Sequence, residues 1–237
     1  MSGSPQRRTQ PVKKALSIAV SYSDRSEYKI EYVHKDSDLI VDLLKETFGY
    51  PPENITVMKD DGRCPSQPTR NNILQAMRDL VSNTIPGDHL VYHISGHGSQ
   101  RDCPIKGQEE DGKDELFWPL DVELEHGDDV SGNYILDDKI KDILVNGLQP
   151  GVNLVLIADC CHSGTMAENE RSKLAPDNIN QPESPVAESG EEEGIKRRIP
   201  NVVCWSACMD DQETYNPFNA GGENIEQTHQ ELLHNVT

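Results

Sequence analysis

Hydrophobic and polar positions follow two patterns along the chain, which together predict strands separated by helices. Short apolar runs between polar stretches are typical of buried strands, and apolar residues three and four apart indicate one face of a helix. The runs predict strands at 13–22, 55–58, 89–95, 153–158 and 200–208, and the helical spacing predicts helices at 36–47, 69–82 and 137–146. Thr69 stands where an N-cap is expected. The alternation predicts parallel βαβ units with helices covering both faces of the sheet.

Polar residues of catalytic type follow two of these strands. The strand at 89–95 runs into Gly96-His97-Gly98, and the strand at 153–158 runs into Asp159-Cys160-Cys161. Because the carboxyl ends of parallel strands meet at one edge of a sheet, we expect His97 to lie beside a thiol. A cysteine nucleophile needs such a partner to form the thiolate and to protonate the leaving amine. His93 lies inside a strand and is interpreted as structural.

Composition and charge narrow the possible partners. The 237 residues include 41 Asp and Glu but 22 Lys and Arg, for a formal charge of -19, which disfavours nucleic acid and anionic membranes as partners. No apolar stretch approaches the roughly 18 residues of a membrane span, and the basic, polar first fourteen residues differ from a secretory signal. The six cysteines are therefore expected to be reduced thiols. The expected location of the protein is the cytoplasm, with the nucleus as a further alternative.

Five motifs resemble those of a known family. YHISGHGSQ, EDGKDELFWPLD, ILDD, DCCHSG and, more loosely, WSACMDDQ are similar in order and spacing to the motifs of type I metacaspases, relatives of the caspases, over residues 13–212. The resemblance implies an α/β fold, the caspase-like three-layer α/β/α sandwich with a mostly parallel central sheet. It also implies a cysteine endopeptidase that cleaves protein or peptide substrates after Arg or Lys. His97 would be the catalytic histidine and Cys161 the nucleophile, with Cys160 only its neighbour.

The resemblance also gives roles to acidic residues around the substrate. It implies a substrate pocket containing Asp36, Ser95 and Asp159. Two carboxylates in a partly dehydrated pocket would select a guanidinium or ammonium side chain through charge-assisted hydrogen bonds. The chain departs from the family pattern at Val33, where many relatives carry a pocket cysteine. This departure would reshape the pocket without removing its charge.

A second acidic set corresponds to a calcium site in the family. The implied ligands are Asp114, Asp137, Asp138 and, at a position that is usually Asp in the family, Glu168. Calcium takes six to eight oxygen ligands, which carboxylates, carbonyls and water can supply. Without the resemblance, the same residues would be interpreted as solvated loop charge. The expected cofactor is therefore Ca2+.

The chain divides into four predicted parts. Residues 1–12 are expected to be a disordered tail, 13–168 the large catalytic portion, 169–199 an acidic flexible linker, and 200–237 a short or incomplete small portion. A protease that cuts after basic residues could process itself, as a zymogen does, at basic positions in the linker. These positions are Arg171, Lys173, Lys196, Arg197 and Arg198. The alternative is that the last three residues only close a loop.

Two functions of different classes follow. The first is a calcium-activated endopeptidase, a monomer that uses a Cys161–His97 dyad and processes itself. The second is an inactive or weakly active relative that acts in protein interaction or quality control, because the C-terminal portion departs from the family pattern. Cell death and protein quality control both stay open as biological settings.

Overall fold

The computed structural model describes residues 8–104, 112–125, 129–160 and 200–206. Within them, ten strands and three α-helices follow one another along the chain. The strands are β1 (Lys13–Ala19), β2 (Ile55–Lys59), β3 (His89–Ser95), β4 (Gly98–Asp102), β5 (Lys113–Phe117), β6 (Glu123–Leu124), β7 (Val130–Gly132), β8 (Ile135–Leu136), β9 (Asn153–Asp159) and β10 (Asn201–Ser206). The helices are α1 (Val33–Glu46), α2 (Arg70–Val81) and α3 (Asp137–Leu144). The predicted linker at 169–199 lies outside the described residues.

Five strands form one parallel sheet in the order β10-β9-β3-β1-β2. β3 and β9 are central neighbours, and their register places Ser95 opposite Asp159. β1 pairs with β3 on its other side, with Ala19 opposite Ser95. The carboxyl ends of these three strands therefore meet at one edge, where ligands bind in open α/β sheets.

Helices cover both faces of this sheet. On one face, even-numbered strand residues such as Leu16 and Ile18 pack with α2 and α3 in the larger apolar core. On the other face, odd-numbered residues such as Ala15 and Val91 pack with Leu44 of α1 in a smaller cluster. Successive strand residues point to opposite faces, so one run of apolar residues serves both layers. The predicted three-layer α/β/α architecture is confirmed.

The helices match their predicted positions, with differences at the ends. α1 begins three residues earlier than predicted, after Tyr32, whose backbone is left-handed with φ of 69°. α3 ends at Leu144, two residues earlier than predicted. Thr69 is the N-cap residue of α2, but its side chain makes no capping hydrogen bond. Asp121 instead accepts a hydrogen bond of 2.7 Å from the Arg70 main-chain N–H.

The region between β3 and α3 contains antiparallel strands that the hydrophobic pattern did not predict. β4, β5 and β8 form a three-stranded sheet, and β6 and β7 form a two-stranded one. In this region His97 directly precedes β4, and Asp114 lies in β5. Within the described ranges, no helix is long and apolar enough to cross a membrane.

Candidate active site

The candidate active site lies where β3 and β9 end side by side. The Gly96 main-chain N–H donates to the Asp159 carbonyl at 3.3 Å, which joins the two strand ends beyond the regular pairing. His97 is two residues past the end of β3. Cys160 follows β9 directly and is 1% exposed, packed in the larger core. Cys161 is the next residue and lies outside the described residues, so the structure gives no distance from its sulfur to His97.

The His97 imidazole is oriented by a main-chain carbonyl. Its Nε2 lies 2.7 Å from the Tyr28 carbonyl oxygen. A carbonyl oxygen only accepts hydrogen bonds, so Nε2 must carry the proton. The neutral ring therefore has its basic nitrogen at Nδ1. This tautomer assignment follows from the hydrogen-bond partner and fixes which nitrogen can take up a proton.

Three aromatic side chains surround the same imidazole. The ring centroids of Tyr22, Trp118 and Tyr28 lie 4.9, 5.4 and 6.4 Å from that of His97. Tyr22 and Trp118 are nearly inaccessible to solvent. Burial raises the pKa of the Tyr22 hydroxyl well above its ordinary value, so this group stays neutral at all physiological pH values. The imidazole thus lies among aromatic rings that partly shield it from water.

Two predicted pocket residues lie next to each other on the face of the sheet that α1 covers. The Ser95 hydroxyl donates to Asp159 Oδ2 at 3.5 Å, and Ser95 is 3% exposed. Ala19 stands beside Ser95 in the adjacent strand and fills little space. Asp36, the third predicted pocket residue, is half-buried in the first turn of α1 on this same face. Val33, the first residue of the same turn, is buried at 2% exposure.

A buried polar network lies below this pocket, deeper in the sheet. His93 Nδ1 is 2.9 Å from the Ser17 hydroxyl, which lies 2.8 Å from the hydroxyl of Ser37. All three side chains are at most 2% exposed. The network ties β1 and β3 to α1, one residue past Asp36, so His93 has the structural role predicted for it. The sequence pattern did not indicate either serine as its partner.

Comparisons with known proteins identify the family. A family model described as "Metacaspase, peptidase C14 domain" matches residues 13–170. The chain belongs to the metacaspase family. Metacaspase-1A of Aspergillus oryzae is 41% identical over 154 residues, which cover 65% of this chain and 35% of that protein. Metacaspase-1 of Kluyveromyces lactis is 37% identical over 157 residues, covering 66% of this chain and 34% of that protein.

The chain matches only part of the length of its relatives. The match spans about one third of the length of the curated relatives. Among solved structures, protein GSU0716 from Geobacter sulfurreducens superposes with a TM-score of 0.48 at 24% identity, covering 65% of this chain and 52% of that one. The family names support the type I metacaspase assignment and a cysteine-type peptidase ancestry.

Three of the four residues predicted to bind calcium in this metacaspase chain lie in the described part of the structure. Leu116 in β5 pairs with Leu136 in β8, so Asp114 in β5 and Asp138, two residues past the end of β8, lie toward the same end of this antiparallel pair. Asp137 and Asp138 occupy the first turn of α3. Asp114 is 7% exposed, and its Oδ2 accepts a hydrogen bond from Arg101 Nε at 3.1 Å and forms an ion pair with Arg101 Nη2 at 3.0 Å.

The structure therefore places three of the predicted ligands, Asp114, Asp137 and Asp138, toward one end of a small sheet. In the described part of the chain, no group of three or more His, Cys, Asp and Glu side chains could hold a metal ion. The Arg101 guanidinium already neutralises one of the predicted ligands. The donor set itself, carboxylate oxygen, is the kind that calcium prefers. Glu168 and the five predicted processing residues lie outside the described residues.

Proposed function

We propose that this chain is a cysteine endopeptidase that hydrolyses peptide bonds after Arg or Lys, with Cys161 as nucleophile and His97 as its acid and base. One observation carries the proposal. The Tyr28 carbonyl holds the Nε2–H of His97, which makes Nδ1 the basic nitrogen at the strand end beside β9. β9 leads through Cys160 directly into Cys161. Membership of the peptidase family supports the same chemistry.

The proposed reaction divides between the two residues. Nδ1 of His97 takes the proton of the Cys161 thiol, and the resulting thiolate attacks the scissile carbonyl carbon, while main-chain N–H groups near Cys161 and His97 stabilise the oxyanion. His97 gives the proton at Nδ1 to the departing amine, leaving an acyl-enzyme thioester. The neutral ring then takes a proton from water, which attacks the thioester and releases the acid product. The aromatic rings around His97 limit the access of bulk water to the imidazole.

The pocket beside this dyad accounts for the proposed specificity. Asp159 and Asp36 would accept charge-assisted hydrogen bonds from an Arg or Lys side chain, and Ser95 holds Asp159 in place. An acidic substrate side chain would meet two like charges in the same pocket. We therefore propose a preference for basic residues over Asp.

We also propose that calcium binds at the acidic set. Asp114, Asp137 and Asp138 would hold the ion together with Glu168, and Asp114 must first exchange its Arg101 partner. A bound calcium supplies the positive charge needed to hold several carboxylates together. Calorimetric titration of the whole chain with calcium tests this proposal. The unaltered chain should release or absorb heat on binding, and Asp137→Asn should remove that heat. The measurement does not depend on peptidase activity.

The proposed activity is tested with fluorogenic peptides ending in Arg or in Asp, with and without calcium. Cys161→Ala should reduce turnover of the Arg peptide by at least about 1,000-fold. The matched control is Cys160→Ala, which removes the adjacent, buried thiol and should leave most activity intact. Mass spectrometry of each variant after incubation with calcium reports self-cleavage at the basic linker positions.

The outcome separates the endopeptidase from the interaction protein. Equal turnover in the unaltered chain and in Cys161→Ala would contradict the endopeptidase assignment. A folded, calcium-binding chain whose Cys161 is not labelled by an arginyl chloromethyl ketone would favour the inactive relative. Preferential loss of activity in Cys160→Ala would place the nucleophile one residue earlier.

A further inference from the structure

We propose that Tyr22 is a positioning residue for His97. Its hydroxyl group bonds the main chain of His97 and of Trp118, while its ring packs against the imidazole itself. The inference deepens the proposed function, since it concerns the same histidine, but the position of the His97 ring can be measured whether or not the chain cleaves peptides.

The Tyr22 hydroxyl joins two segments that form the site. It donates to the Trp118 carbonyl at 2.5 Å and accepts a hydrogen bond of 3.1 Å from the His97 main-chain N–H. The Trp118 N–H donates in turn to the His97 carbonyl at 3.0 Å. Both main-chain polar groups of His97 are thus satisfied within one small cycle of hydrogen bonds, and the hydroxyl is the only side-chain member of that cycle.

The loop that carries Tyr22 also carries the acceptor for the imidazole. Tyr22 has a left-handed backbone, with φ of 54°, and its carbonyl accepts from the Arg25 N–H at 2.8 Å. The Arg25 carbonyl accepts from the Tyr28 N–H at 2.9 Å. These two turns set the separation between the Tyr22 hydroxyl and the Tyr28 carbonyl. The main chain and the ring of His97 are therefore held from a single loop.

The space around the hydroxyl is too small for a looser arrangement. A Cβ atom added to Gly96 would lie 3.1 Å from the Tyr22 hydroxyl oxygen and 3.0 Å from the Phe117 ring. Tyr22 is 1% exposed, so its hydroxyl is shielded from bulk water. The raised pKa of Tyr22, caused by burial, keeps the group able to donate and accept at once.

The competing explanation is that Tyr22 only fills the core. Phenylalanine would then serve equally well, apart from the loss of a buried hydrogen bond. Tyr92 offers a matched control, since it is also fully buried in the same core and its hydroxyl donates to Met77 Sδ at 3.8 Å. Tyr22→Phe and Tyr92→Phe each remove one buried hydroxyl, but only the first hydroxyl touches His97.

The experiment compares the two variants in the whole chain. Long-range 1H–15N spectra of the histidine rings, with His97→Gln to assign the signals, report the tautomer and titration of His97. Tyr22→Phe should move the His97 ring nitrogen signals and mix its tautomers, whereas Tyr92→Phe should not. Both should lower Tm by a similar few degrees. In an active chain, Tyr22→Phe should lower kcat by about 10- to 100-fold, because misplaced catalytic groups lose rate, with KM changed by less than about twofold.

Each result decides the proposal. Unchanged His97 ring signals in Tyr22→Phe would overturn it, whatever the activity, and so would altered signals with an unchanged kcat in an active chain. If the unaltered chain shows no Cys161-dependent turnover, the proposed function fails. The ring signals alone would then support or overturn the positioning of His97 by Tyr22.

Discussion

The two faces of the parallel sheet are built from the same strands but differ in polarity near the ends of those strands. The face toward α2 and α3 is apolar to the end of the strands, with Leu156 and Ile94 fully buried. The face toward α1 is polar near the carboxyl ends, where Ser95 and Asp159 stand beyond His93. One face therefore supplies the packing that keeps the strands in register, and the other supplies the chemistry.

The side chains of β9 on the two faces of the sheet also differ in burial. In β9, residues 154, 156 and 158 are buried, whereas residues 155, 157 and 159 between them are half-buried. Within the described residues, the side chains of the second set keep exposed surface, and Asp159 among them stands at the edge of the sheet. Because strand residues alternate between faces, a polar residue at the strand end need not interrupt the core on the other side.

The largest expected effect is on the apolar face. Leu156→Ala should lower the free energy of unfolding by about 3–4 kcal/mol, because it leaves a cavity in a fully buried site. Ile157→Ala, the neighbouring position on the α1 face, should cost less, about 1–2 kcal/mol, because Ile157 is only half-buried. Urea unfolding of both variants measures the difference. Equal losses would remove the distinction between the faces.

The next effect should appear in activity on the polar face. Asp159→Asn should lower kcat/KM for an Arg peptide by about 100-fold, roughly 2.7 kcal/mol of transition-state binding, because one pocket charge is lost. Its effect on unfolding should be small. Asp42→Asn is the control, since it makes the same charge change at a carboxylate of α1 that is 62% exposed. Similar losses in both variants would show that general charge, rather than the pocket, attracts the substrate.

The parallel part of the fold could be predicted because its strands are continuous apolar runs. The antiparallel part could not, since β4 reads GSQRD and its residues are half-buried or exposed. Such short strands carry little hydrophobic signal and are stabilised by pairing instead. The N-cap of α2 was predicted at the right residue, but the hydrogen bond comes from Asp121, which is distant in sequence.

The site divides in the same way. The positions of His97, Ser95 and Asp159 were predictable, because they lie at or just past the ends of recognisable strands and match family motifs. The Tyr28 carbonyl that orients the imidazole could not be predicted, because every residue carries a carbonyl group and only the folded loop selects one. Arg101 was missed for a related reason, since its contact with Asp114 depends on the unpredicted pairing of β4 with β5.

The smallest expected effect concerns the polar network that supports the pocket. Ser37→Ala should lower the free energy of unfolding by about 1 kcal/mol, because the fully buried Ser17 hydroxyl loses one of its partners. Ser82→Ala is the control, since the Ser82 hydroxyl bonds the Asp79 carbonyl near the surface, where water can replace it. That variant should stay within about 0.5 kcal/mol of the unaltered chain. A loss in Ser37→Ala no larger than that in Ser82→Ala, measured by urea unfolding, would show that this network does not stabilise the polar face.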